Sequence, residues 1–270
     1  MNNLSNKIYI GTSGYKHISW QGNVYPEKLK PINYLPYYIN ELKLNFLEIT
    51  FTFHKMPYKK TFDQIFDHIR KDLYNFRISI KLHKSLLRTN LDRSILNEFL
   101  QSLETFSEAQ IPLIFLADYS TKFGVNKENL QAIILLKKAL EEHTLFISLP
   151  HRSWYKERYI NTFRTNKIGL VIHYIPEPEN NYIPFLITST NDYAYFRFYS
   201  NPSFHLSSSN INISYNYSPK ELIKIAKIIS KTSIIPKETY VAFCNVKNGI
   251  AASNAAFLKK IMEESIDEQS

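Results

Sequence analysis

The chain has 270 residues, of which 44% are hydrophobic, and a formal net charge of +9 at pH 7. This composition excludes an intrinsically disordered protein, and the single cysteine, Cys244, excludes internal disulfides and fits a reducing compartment. No apolar run approaches the ~20 residues of a membrane span, and the start MNNLSNK lacks the apolar segment of a secretory signal. We therefore expect a cytoplasmic protein without a membrane partner.

Short apolar runs, rich in β-branched and aromatic residues, alternate with helical patterns along the chain. The first four predicted strands are KIYIGTS (7–13), NFLEITF (45–51), FRISIKL (76–82) and IPLIFLA (111–117). The last four are TLFISLP (144–150), IGLVIHY (168–174), YAYFRFY (193–199) and TYVAFCN (239–245). Several of these runs are continuously apolar, which is typical of parallel strands buried on both faces.

Helices are predicted over 33–44, 59–72, 92–106 and 127–141, the last with Asn126 as its N-cap. Ser218, Pro219 and Glu221 form a capping box with proline at the first helical position, and a last amphipathic helix follows NVKNG. The stretch 175–192 has three prolines and no helical stripe, and 200–217 is rich in Ser and Asn. A distorted unit is therefore expected near 175–217.

Eight strands, most of them followed by a helix, in about 260 residues predict an α/β fold of the (β/α)8 TIM-like barrel type. No repeat or linker divides the chain, so we expect a single domain over 1–270. A doubly wound sheet with fewer strands is the alternative.

Polar residues end every predicted strand, and barrels of this type carry their chemistry at the carboxyl ends of the strands. Glu48 and Lys81 each lie inside an apolar strand, where an unpaired charge is costly to bury. One interpretation is a structural ion pair between these two neighbouring strands. The other makes Glu48 a catalytic acid or base, and Lys81 an anion holder or a base with a shifted pKa.

Further candidates for ligand binding lie at strand ends and in the loops that follow them. Trp20 and Trp154 either cap the barrel or offer planar walls to a sugar or a base. Arg197 either stacks on its aromatic neighbours or clamps a carboxylate or phosphate. The full set of binding candidates is Thr12, Ser13, Trp20, His151, Trp154, Arg197 and Asn245.

A metal site is an alternative with less support. His83, His151 and His173 could converge with an acid, but their spacing matches no metal-binding motif, and hydrogen-bonded histidines explain them more simply. The glycines near Gly11 fit neither the Walker loop nor the dinucleotide fingerprint. The sequence therefore identifies no cofactor.

The segments GTSGYKHISWQGNVYP (11–26) and LEITFTFHKMP (47–57) resemble the signature of the YecE-like family, domain-of-unknown-function family 72. Lys81, HRSW at 151–154, Arg197 and FCN…NGIAASNA at the end of the chain continue the resemblance in order. It covers nearly the whole chain and implies a TIM-like barrel, without a reaction to transfer.

The chain departs from this family pattern on strands four to eight. Asp118 ends strand four where the family has Gln-Leu-Pro-Pro, and His173 stands where the family has Asp. Tyr199 and Cys244 replace a His and an Asn on strands seven and eight. The first three strands keep the pattern, so the resemblance implies a divergent or catalytically reduced member.

Two classes of function follow. The first is a polar, basic pocket at the carboxyl strand ends that binds a small anionic molecule, phosphorylated or carboxylated, with Glu48 and Lys81 available for acid/base chemistry. The alternative is a catalytically reduced barrel that binds nucleic acid through its positive surface and exposed aromatics, or that serves as a protein-interaction module. The sequence specifies no substrate, reaction or oligomeric state.

Overall fold

Parallel strands arranged as a nearly closed barrel organise the chain in a computed structural model that describes residues 7–70, 75–111, 113–141, 143–176, 183–199, 215–232 and 236–267. These residues contain nine strands: β1 (Lys7–Ser13), β2 (Phe46–Ile49), β3 (Arg77–Lys81), β4 (Ile114–Asp118), β5 (Thr144–Ser148), β6 (Gly169–Leu170), β7 (Ile172–Tyr174), β8 (Tyr193–Phe198) and β9 (Glu238–Phe243).

The sheet closes through two short strands that follow each other directly. The strand order is β6-β5-β4-β3-β2-β1-β9-β8-β7, and all pairings are parallel. Only Val171 separates β6 from β7, so the segment 169–174 pairs with β5 at its start and with β8 at its end. The barrel thus has eight strand positions, and all eight predicted strands are confirmed.

Helices cover the outside of the barrel. They are α1 (Tyr34–Asn40), α2 (Lys59–Ile69), α3 (Arg93–Gln101), α4 (Glu104–Glu108), α5 (Lys127–Ala139), α6 (Glu157–Thr165), α7 (Pro219–Thr232) and α8 (Ile250–Asp267). All six predicted helices are confirmed, although 92–106 forms two helices, and α6 is one that the sequence patterns did not single out. In the part of the chain that the structure describes, no helix is both long and apolar enough to cross a bilayer.

The helix starts obey the capping rules that predicted them. Asn126 Oδ1 accepts the Asn129 amide at 2.6 Å at the start of α5. At the start of α7, the Ser218 amide and hydroxyl both donate to Glu221 Oε2, at 2.8 and 2.7 Å. The predicted capping box is therefore present.

One unit of the barrel lacks its helix over the residues that the structure describes. Residues 175–176 and 183–192, between β7 and β8, contain no helix, which agrees with the distorted unit expected there. The rest of that prediction falls on 177–182 and 200–214, which lie outside the described residues.

Side chains alternate between the barrel interior and the helical layer along every strand. The amino-terminal end of the interior is closed by a partly buried ion pair, in which Arg77 contacts Glu238 at 2.6 Å, flanked by the rings of Tyr9 and Tyr240. Above it lies an aromatic layer of buried rings, Phe46, Phe146 and Tyr195 among them. These layers make the interior solid, so a ligand has access only at its ends.

Tyr38 fixes β1 against β2 just below the carboxyl ends of these strands. Its fully buried hydroxyl accepts the Thr12 amide at 2.9 Å and donates to the Phe46 carbonyl at 2.7 Å. A Cβ at Gly11 would lie 1.7 Å from that carbonyl oxygen, so only glycine allows the two strands to approach this closely here.

We expect Tyr38→Phe to destabilise the protein by about 1–3 kcal/mol, because it leaves the buried Thr12 amide without its acceptor. Thermal unfolding followed by circular dichroism measures the effect. Tyr58→Phe is the matched control, since Tyr58 is 80% exposed and its hydroxyl can bond to water in both states. Equal melting temperatures for the two variants would contradict the role given to Tyr38.

Candidate functional site

The carboxyl end of the barrel interior is polar on all of its strands. Along each strand every second side chain faces the interior, so counting in steps of two from the aromatic layer toward the carboxyl end gives the last interior position. These positions hold Ser13, Glu48, Lys81, Asp118, Ser148, His173, Arg197 and Cys244. An interior this polar gives the barrel a candidate site at the end where such folds carry their chemistry.

Glu48 is fully buried, with 0% exposure. Its Oε1 accepts the Ser13 hydroxyl at 2.7 Å and Arg197 Nη2 at 3.0 Å, and its Oε2 accepts the Tyr195 hydroxyl at 2.7 Å. Burial raises the pKa of Tyr195, which keeps that hydroxyl protonated as a donor. Three donors therefore hold the carboxylate in one orientation.

Arg197 connects Glu48 to the opposite side of the barrel. While Nη2 contacts Glu48, Nη1 lies 3.1 Å from Asp118 Oδ2 and donates to the Ser148 hydroxyl at 3.4 Å. Burial on its own would lower the pKa of Arg197, but Glu48, Tyr199 and Asp118 reverse that effect and raise it well above its usual value. The guanidinium is thus a permanent cation held by two carboxylates.

Asp118 and Lys81 form the part of the cluster that reaches solvent. Lys81 Nζ lies 2.7 Å from Asp118 Oδ2, and the two side chains are 16% and 17% exposed. Lys81 Nζ also lies 4.2 Å from the centre of the Phe53 ring. Burial raises the pKa of Asp118, but Arg197 and Lys81 lower it more, so that it ends well below its usual range.

The four charged residues Glu48, Lys81, Asp118 and Arg197, here called the charged quartet, carry two negative and two positive charges. Two cations, Lys81 and Arg197, meet at the same oxygen of Asp118. The interpretation of Glu48 and Lys81 as partners of one ion pair is wrong, because Lys81 pairs with Asp118 and Glu48 pairs with Arg197. Both residues nevertheless belong to the same cluster.

Several of the predicted binding residues lie beneath the loops, without surface for a ligand. Trp20 and Trp154 are fully buried, and their indoles donate to the carbonyls of Val246 and Phe123, each at 2.6 Å. Each tryptophan therefore joins the loop that carries it to the loop of a neighbouring strand.

Thr12 and Asn245 are buried as well and serve the loops in the same way. The Thr12 hydroxyl donates to the Gly14 carbonyl at 2.7 Å. Asn245 Nδ2 lies 2.7 Å from the Tyr215 carbonyl and 3.0 Å from Asn254 Oδ1. Of the binding candidates, Ser13 and Arg197 are the ones that contact the charged quartet or belong to it.

The three histidines considered as metal ligands lie in loops or at strand ends. His83 and His151 each accept the amide of the serine two residues later, so both cap a short 3-10 turn after their strands. His173 is buried, with its ring stacked 5.6 Å from the Tyr199 ring. Among the described residues, no three His, Cys, Asp or Glu side chains come together as a metal site, and the histidine set proposed for a metal is not assembled.

Cys244 contributes a thiol, not a thiolate. Its Sγ is 3.8 Å from the Ala242 carbonyl, and burial raises its pKa to about 12 in spite of the nearby Arg197. A protonated thiol is a poor nucleophile. Covalent catalysis through Cys244 is therefore not supported.

Sequence reasoning missed Tyr195 and Ser148 as parts of the site. The signal was present in the two-residue alternation of YAYFRFY, which places Tyr195 on the same face as Arg197. The same alternation on strand five selects Ser148 rather than His151. Asp118 was noticed as a strand end, but its pairing with Lys81 needed the structure.

The loops around the site are strongly basic. The six loops that follow β1 to β5 and β9 (14–33, 50–58, 82–92, 119–126, 149–156 and 244–249) contain ten Lys or Arg but only two Asp or Glu, Glu27 and Asp92. The basic residues are Lys16, Lys28, Lys30, Lys55, Lys84, Arg88, Lys122, Arg152, Lys156 and Lys247. Most of the net charge of the chain thus lies on one end of the barrel.

Comparison with known proteins agrees with this fold. The family model described as "Protein of unknown function DUF72" matches residues 9–270. A DUF72 family protein from Thermotoga maritima is 29% identical, covers 96% of this chain and 100% of its own, and superposes with a TM-score of 0.83. One from Enterococcus faecalis V583 is 22% identical, covers 95% of each chain and has a TM-score of 0.78. No curated protein matches. The family resemblance seen in the sequence is confirmed.

We expect the Asp118→Asn variant to lose less stability than the wild type when the pH is lowered. The depressed pKa keeps Asp118 ionised in the folded state where the unfolded chain, with a pKa of about 3.9, already binds a proton. Its contribution is therefore present above that pH and is lost as the pH falls below it. The melting temperature of the variant should be lower than that of the wild type at neutral pH. It should fall by less than that of the wild type between about pH 5 and about pH 3.

Circular dichroism melts across that pH range test this expectation. Asp67→Asn is the control, because Asp67 is 64% exposed beside Arg70 and such surface pairs contribute little. A variant of Asp118 whose pH profile runs parallel to that of the wild type would contradict the linkage.

Proposed function

The chain belongs to the DUF72 family of proteins of unknown function, and from its site we propose that it binds a small anionic ligand, phosphorylated or carboxylated, at the carboxyl ends of its barrel strands. The observation that carries the proposal is the convergence of Lys81 Nζ and Arg197 Nη1 on one point, the Oδ2 atom of Asp118. Two cationic donors that meet at one carboxylate oxygen are arranged as they would be for the oxygen of an anionic ligand.

Lys81 is the group that we assign to direct ligand contact. Its side chain reaches solvent, and an ammonium has three donors, of which Asp118 uses one. The Phe53 ring beneath it limits the directions in which the remaining donors point. A phosphate or carboxylate at the mouth can therefore bind Lys81 without removing Asp118.

Arg197 and Glu48 support this contact from below. Arg197 is 4% exposed and Glu48 is 0% exposed, so the two act on the ligand through their charge and by fixing Asp118. The role of Glu48 as a catalytic acid or base stays a prediction. Its enclosure by Ser13, Tyr195 and Arg197 favours a positioning role.

The basic loops support an anionic ligand as well. The charged quartet is neutral as a whole, whereas the six loops that follow β1 to β5 and β9 carry ten basic and two acidic residues. A positive rim around a recessed site raises the local concentration of anions and speeds their arrival. This effect weakens as salt is added.

Thermal stabilisation by inorganic phosphate, glucose 6-phosphate and citrate tests the proposal. A ligand at 100 times its dissociation constant adds about 2.7 kcal/mol, which raises the melting temperature of a chain of this size by roughly 5–10 °C. We expect at least one of these anions to give such a shift in the wild type, and none in Lys81→Met. Lys81→Arg, which keeps the charge, should recover part of the shift.

Lys237→Met is the matched control. Lys237 is 69% exposed, pairs with Asp192 at 2.7 Å and precedes β9, at the other end of the barrel. It should keep the full response to the same anion. An equal shift in Lys81→Met and in the wild type would mean that the anion binds elsewhere, and would remove the support for this site.

Nucleic acid is a second candidate ligand, favoured by exposed aromatic side chains on the same basic end of the barrel. Tyr58 is 80% exposed and Phe51 is 39% exposed, and both lie in the loop after β2 together with Lys55. Proteins that bind single strands combine a basic surface with aromatic rings on which bases stack. Aromatic exposure beside Lys55 fits that combination.

Fluorescence anisotropy with a labelled single-stranded oligonucleotide checks this second candidate. Binding through the basic loops should weaken steeply and linearly in the logarithm of salt concentration, because each phosphate contact releases counterions. Lys55→Glu with Lys122→Glu should weaken binding and reduce the slope, and Tyr58→Ala should weaken it without changing the slope. Binding that none of these changes affects would exclude the basic end as the nucleic-acid surface.

A further inference from the structure

A cavity opens on the same end of the barrel, outside the charged quartet. It has a volume of about 420 Å³ and lies between the loops that follow β1 and β2. Its wall is mainly apolar, with Tyr15, Ile49, Phe51, Met56 and Tyr58 as its large side chains. Cavities of this size and lining are typical of sites for small organic molecules.

The loop 50–58 separates this cavity from the charged quartet. On one side of the loop, the Thr52 hydroxyl donates to the Lys81 carbonyl and the Phe53 ring lies under Lys81 Nζ. On the other side, Phe51 and Met56 line the cavity. A molecule in the cavity therefore has no contact with Lys81, and the two sites can be tested separately.

The polar groups of the cavity are cationic or neutral. Lys16 and Lys55 are exposed members of its lining, and no Asp or Glu is among the lining residues. His17 is held by the Ser13 carbonyl, 3.1 Å from its Nε2, and by the Trp20 ring, 5.1 Å away. A mainly apolar lining that includes two lysines is complementary to a molecule with an apolar body and one negative group.

The loop that carries His17 is fixed, so the cavity is formed before any ligand arrives. Gly14 has φ of 82° and its amide donates to the Glu48 carbonyl at 2.8 Å, which anchors the loop to β2. Tyr15 is 5% exposed, and its carbonyl accepts the Tyr25 hydroxyl at 2.8 Å. A preformed cavity avoids the entropic cost of ordering its walls when it binds.

We propose that this cavity binds an organic anion with an aromatic or aliphatic body, its apolar part against Phe51 and Met56 and its carboxylate or sulfonate beside Lys16 and Lys55. This site is distinct from the anion site proposed at the charged quartet. The reason is the loop between them, which presents different residues to each.

Fluorescence titration with 1-anilinonaphthalene-8-sulfonate tests the proposal, with the neutral N-phenyl-1-naphthylamine as a probe of nearly the same body. The wild type should bind the sulfonate at one saturable site, and more tightly than the neutral probe. Lys55→Glu should weaken the sulfonate about tenfold, because it places a like charge beside the anion, and should leave the neutral probe nearly unchanged. Met56→Glu, which puts a carboxylate on the apolar wall, should weaken both probes.

Two control variants make the result specific. Phe185→Ala removes another partly exposed phenylalanine, 46% exposed against 39% for Phe51, and should bind both probes as the wild type does. Lys81→Met should also leave both affinities unchanged. Unchanged sulfonate binding in Lys55→Glu and Met56→Glu would overturn the proposal, and so would equal loss in Phe185→Ala. Loss in Lys81→Met would place the probe at the charged quartet instead and would also overturn it.

Discussion

The buried contact between Arg197 and Glu48 is the constraint on which the carboxyl end of the barrel depends. Both side chains are almost fully enclosed, and the two groups meet at 3.0 Å. Removing one partner of such a pair costs about 3–5 kcal/mol, because the other charge is left buried and uncompensated. Ser13 and Tyr195 donate to Glu48, and Asp118 and Ser148 accept from Arg197, so the positions of these four groups are tied to this contact.

Charge compensation continues outward from that pair. Asp118 pairs with the second terminal nitrogen of Arg197. The same carboxylate also pairs with Lys81, and this pair is the part of the network that reaches solvent. The result is a neutral centre inside a basic rim. Because its charges are paired, the neutral centre can be buried without a large free-energy cost. The lysines and arginines of the rim are hydrated, so several like charges can lie there together. The basic loops therefore attract an anion, and the charged quartet orients it.

Much of the fold was accessible from the sequence, because each element had its own local signal. Short apolar runs marked all eight strand positions, and the capping residues Asn126 and Ser218 marked helix starts that the structure confirms. The exception, α6, is a nine-residue helix in which Phe163 is the fully buried side chain. A helix that buries so little gives a weak periodic pattern.

The site was less accessible, because its assembly depends on contacts between distant strands. The sequence selected Glu48, Lys81, Ser13 and Arg197, since charge in an apolar strand is conspicuous. It could not assign partners, and the pairing of Lys81 with Asp118 rather than Glu48 depends on the register across β3 and β4 and on how the side chains divide the space. The two tryptophans were ambiguous for the same reason. A tryptophan in a loop after a strand has the same sequence pattern whether its ring faces a ligand or packs against a neighbouring loop.

The same compensation joins the two halves of the barrel across its interior. Glu48 and Lys81 come from β2 and β3, whereas Asp118, Ser148 and Arg197 come from β4, β5 and β8. Each charge from the first half has its partner in the second, across the interior. Because an unpaired charge cannot remain buried there, a substitution on one side is tolerated only with a compensating group on the other. Asp118 supplies such a group, since it neutralises Lys81 and holds the second nitrogen of Arg197 with one oxygen.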